Sequence, residues 1–253
     1  PQQVAVDATG RFWVCDYNAD AIFAYPAGAF NNEAPLVIIK GSNTQLNGCS
    51  GLAISSNGTI YASTPNQSAI LEFKAGSQAN AAPFATYSGS FTTLSHPMGL
   101  ALYSNGTFAV ANSSADSTLV FGTIAGNVYP QRSILGTNTH TIANYSVALD
   151  PTTQNLVVAN EGNSSVQTFS PAAKGNATPT LSLSGSLTKI VNPFAVAVDN
   201  AGYVYVGTCP LNQQNPQASI LVFAPGEKGN VAPVQRITGS NVNLACVTSL
   251  FVR

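Results

Sequence analysis

The sequence repeats itself with a period of about 48 residues, and this periodicity restricts the possible folds more than any other feature. Five segments align as complete repeat units, and a shorter segment follows them. Tandem repeats of this size are typical of proteins that stack one structural unit several times, because a single unit cannot bury its own hydrophobic face. The complete units span residues 1–48, 49–96, 97–143, 144–192 and 193–245, and the shorter segment spans 246–253.

Each unit predicts four short β-strands. The first strand is a run of small and branched residues, such as VAVD from Val4 and LAIS from Leu52, and a turn that contains glycine follows it. The second and third strands are rich in β-branched and aromatic residues, and the fourth follows a proline. No segment has the periodicity of an amphipathic helix over a useful length. Regular short strands in such a period favour propeller blades over a sandwich.

The sequence therefore predicts one all-β domain over residues 1–253, a β-propeller of four-stranded blades. Residues 1–7 already provide an inner strand for the first blade, and residues 246–253 have the pattern of another inner strand. We favour six blades, with 246–253 as the inner strand of the sixth. The other three strands of that blade would come from residues before Pro1 or from a neighbouring subunit. A five-bladed propeller with a spare terminal strand is the alternative.

The opening segments of the units resemble the NHL repeat. The pattern P-x-G-[IVL]-A-[IVL]-D-x-x-G-x-[IV]-Y-V-A-[DN] is matched by PMGLALYSNGTFAVAN from Pro97 and by PFAVAVDNAGYVYVGT from Pro193. The tail GNVAPVQRITGSNVNL is similar to secreted bacterial NHL-like arrays. The resemblance covers essentially the whole chain and implies a propeller. It says little about function, because one fold hosts many activities.

The four cysteines occupy two equivalent pairs of positions. Cys15 ends a second strand and Cys49 begins the next inner strand, and Cys209 and Cys246 hold nearly the same two places. Adjacent blades would bring such strand ends to the Cα separation of about 5.5 Å that a disulfide needs. We therefore predict disulfides Cys15–Cys49 and Cys209–Cys246, with four unpaired core cysteines as the alternative. Disulfides would indicate an oxidising compartment outside the cytoplasm.

Composition narrows the classes of partner. Only 8% of the residues are charged, far fewer than in most soluble domains, so Ser, Thr, Asn, Gln and Gly must keep the surface hydrated. The nine basic residues form no run, and the net charge is −1, which argues against nucleic acid as a partner. No apolar stretch is long enough for a membrane-spanning helix. This profile is typical of secreted or cell-surface proteins.

Polar residues recur where the second strands end, on the face where propellers often bind ligands. Rings of such side chains could hold a polar ligand or an ion, but we favour the interpretation that they cap turns through hydrogen bonds from side chain to backbone. The repeated aspartates Asp7, Asp150 and Asp199 precede turns and indicate Asx-turns. The ligand-binding candidates are Asp16, Thr64, Asn112, Asn160 and Thr208.

A second group of candidates combines two histidines with a carboxylate. His96 and His140 lie in loops that lead to inner strands, and Glu161 follows a second strand in the same sector. Virginiamycin-lyase-like propellers use a His/Glu group with a divalent metal, and gluconolactonase-like propellers use carboxylate and Asn ligands, but neither ligand pattern is matched in full. Carboxylates are sparse, and a metal site needs about three converging ligands. We therefore expect ordinary loop residues here and no cofactor.

Two functions remain for the sequence. The first is a secreted, non-catalytic propeller that acts as a binding, adhesion or assembly module, with other copies of itself or an extracellular protein or glycan as partners. The unfinished sixth blade would expose strand edges that invite pairing with another chain. The second is a metal-dependent, lactonase-like hydrolase or lyase that uses His96, His140 and Glu161 on the loop face with a divalent cation. We favour the first.

Overall fold

The structure is a computed structural model that describes residues 1–210, 217–242 and 244–252. It contains five antiparallel four-stranded sheets, each with its strands in chain order, which confirms the predicted all-β propeller with four-stranded blades. In the described residues the helical segments are short 3-10 turns only, and no helix is long and apolar enough to cross a membrane.

The first three sheets follow the repeat units of the sequence. The first sheet contains β1 (Gln3–Val6), β2 (Phe12–Asp16), β3 (Ala21–Tyr25) and β4 (Val37–Lys40). The second contains β5 (Leu52–Ile54), β6 (Ile60–Thr64), β7 (Ala69–Phe73) and β8 (Ala85–Tyr87). The third contains β9 (Pro97–Leu102), β10 (Phe108–Asn112), β11 (Ser117–Phe121) and β12 (Arg132–Ile134).

The last two sheets repeat the same order. The fourth contains β13 (Asn144–Leu149), β14 (Leu156–Asn160), β15 (Ser165–Phe169) and β16 (Leu181–Leu183). The fifth contains β17 (Pro193–Val198), β18 (Val204–Thr208), β19 (Ile220–Phe223) and β20 (Gln235–Ile237). The described chain divides into two compact units, residues 1–109 with 120–131, and residues 110–119 with 132–253.

The prediction of a sixth blade is wrong. The propeller has five sheets, and residues 246–252 form no strand; residue 253 lies outside the described residues. The C-terminal segment instead lies on the fifth sheet, where Val247 packs with Ala195 and Ala218 and donates its N–H to the Thr208 carbonyl over 3.1 Å. The physical reason is that an inner strand needs a second strand to pair with. In the first sheet the second strand, β2, is already paired with its own inner strand, β1.

Both predicted disulfides are confirmed. Cys15–Cys49 joins the first sheet to the start of the second with a Cα separation of 5.4 Å, and Cys209–Cys246 fixes the C-terminal segment at the end of β18 with a separation of 4.3 Å. No described cysteine is free. Two disulfides suggest a location outside the cytoplasm.

Neighbouring sheets meet in the same way at four junctions. A loop after the third strand of one repeat forms a parallel bridge with the outer strand of the sheet before it. The asparagine of that loop then accepts the N–H of a residue in the turn that follows the outer strand, over 2.7 Å at every junction. The four pairs, with the N–H donor first, are Asn43 and Asn80, Phe91 and Asn127, Asn138 and Asn176, and Leu187 and Asn230.

Each sheet has two faces, which we name by what they meet at a junction. The following face packs on the next sheet in chain order, and the preceding face packs on the sheet before. At the first junction Ile39 on the following face of the first sheet joins one core cluster with Leu71 and Phe73 of the second. At the fourth junction Leu183 takes the place of Ile39 and packs with Leu221 and Phe223.

Candidate functional site

The second-strand residues predicted to bind a ligand make local hydrogen bonds, each inside its own compact unit. Asp16 accepts the N–H groups of Asn18 and Ala19 over 3.1 and 3.0 Å. Burial opposes ionisation of Asp16, but the Ala19 N–H, the Pro1 amino group at 3.3 Å and the Asn18 N–H together outweigh it, and the pKa of its carboxyl is lowered. Thr64 is buried and exchanges two hydrogen bonds with the backbone of Asn47. These groups organise turns.

The remaining three candidates of this set lie in the second unit. Asn112 donates to the Ser117 hydroxyl over 2.9 Å, and Thr208 accepts the Ser219 N–H over 2.8 Å. Asn160 is fully buried, and its side-chain oxygen has no hydrogen-bond partner among the described residues. The oxygens of Asn144 and Gln167 share this condition in the same sheet. Such buried acceptors are the positions where structures hold ordered water or ions.

The histidine and glutamate candidates do not form a ligand group in the described residues. The main-chain N–H of His96 donates to Ser68, and the carbonyl of His140 accepts from Asn163 over 2.9 Å. His140 and Glu161, which belong to the same unit, form no hydrogen bond with each other. No set of three His, Cys, Asp or Glu side chains placed to hold a metal occurs in the part of the chain that is described.

The repeated aspartates close turns. Asp7 accepts from the Thr9 N–H, the Arg11 guanidinium and the Trp13 indole N–H over 2.9, 2.9 and 3.0 Å. Burial alone would raise the pKa of Asp7, but the bonds from Thr9, Trp13 and Arg11 prevail and hold it far below the ordinary value. Asp150 and Asp199 bind backbone N–H groups two residues further on.

Two cavities in the second unit occupy equivalent places in successive repeats, and sequence patterns did not reveal them. One has a volume of about 440 Å³, and His140, Thr141 and Ile142 line it beside Asp116. The other has a volume of about 600 Å³, and Lys189, Ile190 and Val191 take the same three places. Arg236 of β20 also lines the larger cavity. The loops that form the two cavities are thus equivalent, but the charged residues that line the cavities differ.

The outer part of the fifth sheet has an uncovered following face. Ile237 is 48% exposed, whereas the residues at its position in the other four sheets are 0–4% exposed. A cavity of about 340 Å³, lined by Tyr203, Tyr205 and Val234 among others, lies on the same sheet. The buried equivalents of Ile237 are Ile39, Tyr87, Ile134 and Leu183.

The first sheet has an uncovered preceding face. Val14, Phe23 and Tyr25 are only partly buried. The residues at their positions in the other four sheets are at most 2% exposed to solvent. Phe12 and Tyr25 stack on this face with their ring centroids 5.3 Å apart. The residues that correspond to Val14 are Ala62, Val110, Val158 and Val206, and those that correspond to Tyr25 are Phe73, Phe121, Phe169 and Phe223.

Comparisons with known proteins support the fold. No family model matches the chain, and no curated protein matches it. The WD40 β-propeller domain of Doa1 superposes with a TM-score of 0.64 at 13% identity, over 98% of this chain and 70% of that one. Virginiamycin B lyase from Staphylococcus aureus, an inactive H270A variant with quinupristin, superposes with a TM-score of 0.63 at 14% identity, over 90% and 70%. A protein from Bacteroides caccae gives 0.68 at 10% identity, over 98% and 84%.

These similarities show a β-propeller and nothing finer. Identities of 10–14% carry the fold alone, since propellers serve many functions. The resemblance to NHL repeats in particular stays a prediction.

Proposed function

We propose that this chain is a secreted, non-catalytic β-propeller that acts as an extracellular assembly module, and that copies associate head to tail. The following face of the fifth sheet of one copy would meet the preceding face of the first sheet of the next. The observation that carries this proposal is the exposure of Ile237, which is 48%, at a position that is buried in every other sheet.

The two exposed faces are complementary in the way the internal junctions are. Leu183, at the position of Ile237, packs on Leu221 and Phe223, which are the equivalents of Phe23 and Tyr25. In the proposed contact Ile237 of one copy would therefore pack on Phe23 and Tyr25 of another. Burying such apolar surface stabilises association by about 25 cal/mol per Å² before the cost of association is subtracted.

The polar half of the contact is also preformed. Asn31 has φ 57°, close to the 53° of Ala79 in the loop of the first junction, and the neighbouring Asn32 is exposed and forms no hydrogen bond with a described residue. On the fifth sheet, Gly239 holds the position that Gly41 holds in the first sheet. A Cβ atom added to Gly41 would meet the Asn80 side chain, whereas one added to Gly239 would meet nothing within 4 Å. The asparagine loop of one copy thus fits the vacant turn of another.

A contact of this kind is heterologous, because two different surfaces meet. Repetition of a heterologous contact makes a ring if the rotation closes and a filament if it does not. Exposed apolar surface that is contiguous and rimmed by polar residues is typical of sites where proteins associate. An extracellular location agrees with the two disulfides.

Multi-angle light scattering at rising protein concentration tests the proposal. We expect the mass to increase above the 26.1 kDa of one chain, and Ile237→Glu to abolish the increase. The control is Ile124→Glu, because Ile124 is 77% exposed but belongs to the loop after β11, in neither the first nor the fifth sheet. A 26.1 kDa species at every concentration, or equal association by the Ile237 variant, would overturn the proposal.

The alternative function, metal-dependent hydrolysis or lysis, has less support. One similar structure is a lyase, but its low identity transfers no activity to this chain. Activity that required a divalent cation and fell on His140→Ala or Glu161→Gln would favour this alternative.

A further inference from the structure

The larger of the two repeat-equivalent cavities has the properties of an anion site. Lys189 and Arg236 line it, and no lining residue is acidic. The whole chain has only nine basic residues, so two of them around one cavity is a concentration of positive charge. Neither forms a salt bridge with any described residue. Their charges therefore remain available to a ligand.

The guanidinium of Arg236 is held in place by the protein. Its Nε and one terminal nitrogen donate to the Ser219 hydroxyl over 3.3 and 3.2 Å. An anchored guanidinium loses less freedom when it binds, and its remaining N–H groups suit the paired oxygens of a carboxylate or a sulfate. Lys189 adds a second charge to the lining from the loop that follows β16.

Neutral groups complete the cavity. Asn163, Ser164 and Ser186 provide amide and hydroxyl groups, while Ile190 and Val191 provide apolar surface. A volume of about 600 Å³ exceeds what an inorganic ion fills and falls in the range of small-molecule sites. The basic residues suit an anionic group, the amide and hydroxyl groups suit ligand hydroxyls, and the apolar residues suit C–H surface. An acidic sugar carries all three.

The equivalent cavity in the preceding repeat has the same backbone framework but lacks the positive lining of the larger cavity. There His140 replaces Lys189, and the carboxylate of Asp116 lies in the wall, where it accepts the Ala143 N–H over 2.7 Å. An anion would meet a negative charge in that cavity. The same repeated framework thus has an anion-compatible version and an incompatible one.

We propose that the cavity between Lys189 and Arg236 binds the carboxylate or sulfate of an acidic saccharide. This site is independent of the head-to-tail contact, because Arg236 lies on the preceding face of the fifth sheet and Ile237 on the following face. Alternate residues of a strand point to opposite faces.

Nuclear magnetic resonance titrations with glucuronate, glucose 6-sulfate and neutral glucose test this site. We expect saturable shifts at residues of the cavity with one or both acidic sugars, and no saturable shifts with glucose. Lys189→Gln and Arg236→Gln should each weaken binding about tenfold, as loss of one charge-assisted contact predicts. Added salt should weaken binding as well.

Lys228→Gln serves as the control, because Lys228 is exposed, lies outside the cavity and carries the same charge. Glutamine keeps most of the aliphatic stem, and an unchanged melting temperature shows that the variants fold. Three results would overturn the proposal: no binding of either acidic sugar, equal binding of glucose, or binding that Lys189→Gln and Arg236→Gln leave unchanged. None of these three results would affect the proposal of head-to-tail association, which light scattering tests separately.

Discussion

The first and fifth sheets differ from the three between them in what covers their faces. In the three middle sheets, the same repeat positions that hold Val14 and Ile237 carry fully or almost fully buried residues. In the first sheet, however, Val14 is only partly buried, and in the fifth sheet Ile237 is 48% exposed, although both side chains are apolar. Burial in this protein is therefore a property of a junction, and a repeat sequence prepares each sheet for two neighbours whether or not both are present.

The largest expected difference separates Leu183 from Ile237. Leu183→Asp places a charge in a closed junction and should lower the free energy of unfolding by about 3 to 5 kcal/mol. Ile237→Asp should lower it by about 0.5 kcal/mol, as at an exposed position. Urea denaturation of dilute protein measures both, and equal losses would mean that the fifth sheet is covered as the fourth is.

The two disulfides extend the comparison. Cys15–Cys49 links two complete sheets, and replacing both residues by Ala should cost about 3 to 4 kcal/mol, from the loop-closure entropy of the 34-residue separation. Cys209–Cys246 holds a segment that forms no strand. Its removal should mainly expose residues 244–252 to hydrogen exchange, with a smaller global loss. A larger global loss from the second pair would contradict this.

Asp7 gives a pH dependence that rests on contacts within one repeat. Thr9, Arg11 and Trp13, the partners described above, belong to the first repeat, and the pKa of Asp7 in the folded chain lies below the ordinary value of 3.8. The ionised carboxylate therefore adds stability that is fully present above pH 4 and is lost as the pH falls towards the folded pKa, about 2 kcal/mol in all. Asp7→Asn should flatten the acid side of the stability profile in urea titrations. An unchanged acid side would show that other carboxylates dominate it.

The smallest expected difference separates two asparagines. Asn80→Ala breaks the hydrogen bond to Asn43 in the first junction and should cost about 1 kcal/mol. Asn32→Ala, at the equivalent place in the first repeat, should leave the stability of the single chain unchanged, because its side chain is exposed. Melting temperatures of dilute protein distinguish the two. A loss at Asn32 equal to that at Asn80 would mean that this loop is already bound within one chain.

The repeat pattern predicted the fold in considerable detail. Period, strand positions and turn glycines are local signals, and the structure confirms five four-stranded sheets and both disulfides. The number of blades was wrong, because a short apolar segment such as 246–252 has the pattern of an inner strand whether or not a second strand pairs with it. Strand formation depends on the partner, which the segment's own sequence does not contain.

The candidate sites were harder to predict, for the same physical reason. Asp16 and Thr64 attract attention by repetition, but repetition here marks the turns that every blade needs. Lys189 and Arg236 are far apart in the sequence and recur in no other repeat, so only the packing of the fourth and fifth sheets brings them to one cavity. A lysine or arginine that departs from the repeat is the signal that the sequence did offer.

The most direct test of head-to-tail association mixes two variants that are each blocked on one face. Ile237→Glu leaves the first sheet competent, and Phe23→Glu leaves the fifth sheet competent. Each variant alone should be a 26.1 kDa monomer, and the mixture should form a one-to-one dimer of twice that mass, measured by light scattering. Two monomers that do not combine, while the parent chain still associates, would contradict the proposed contact.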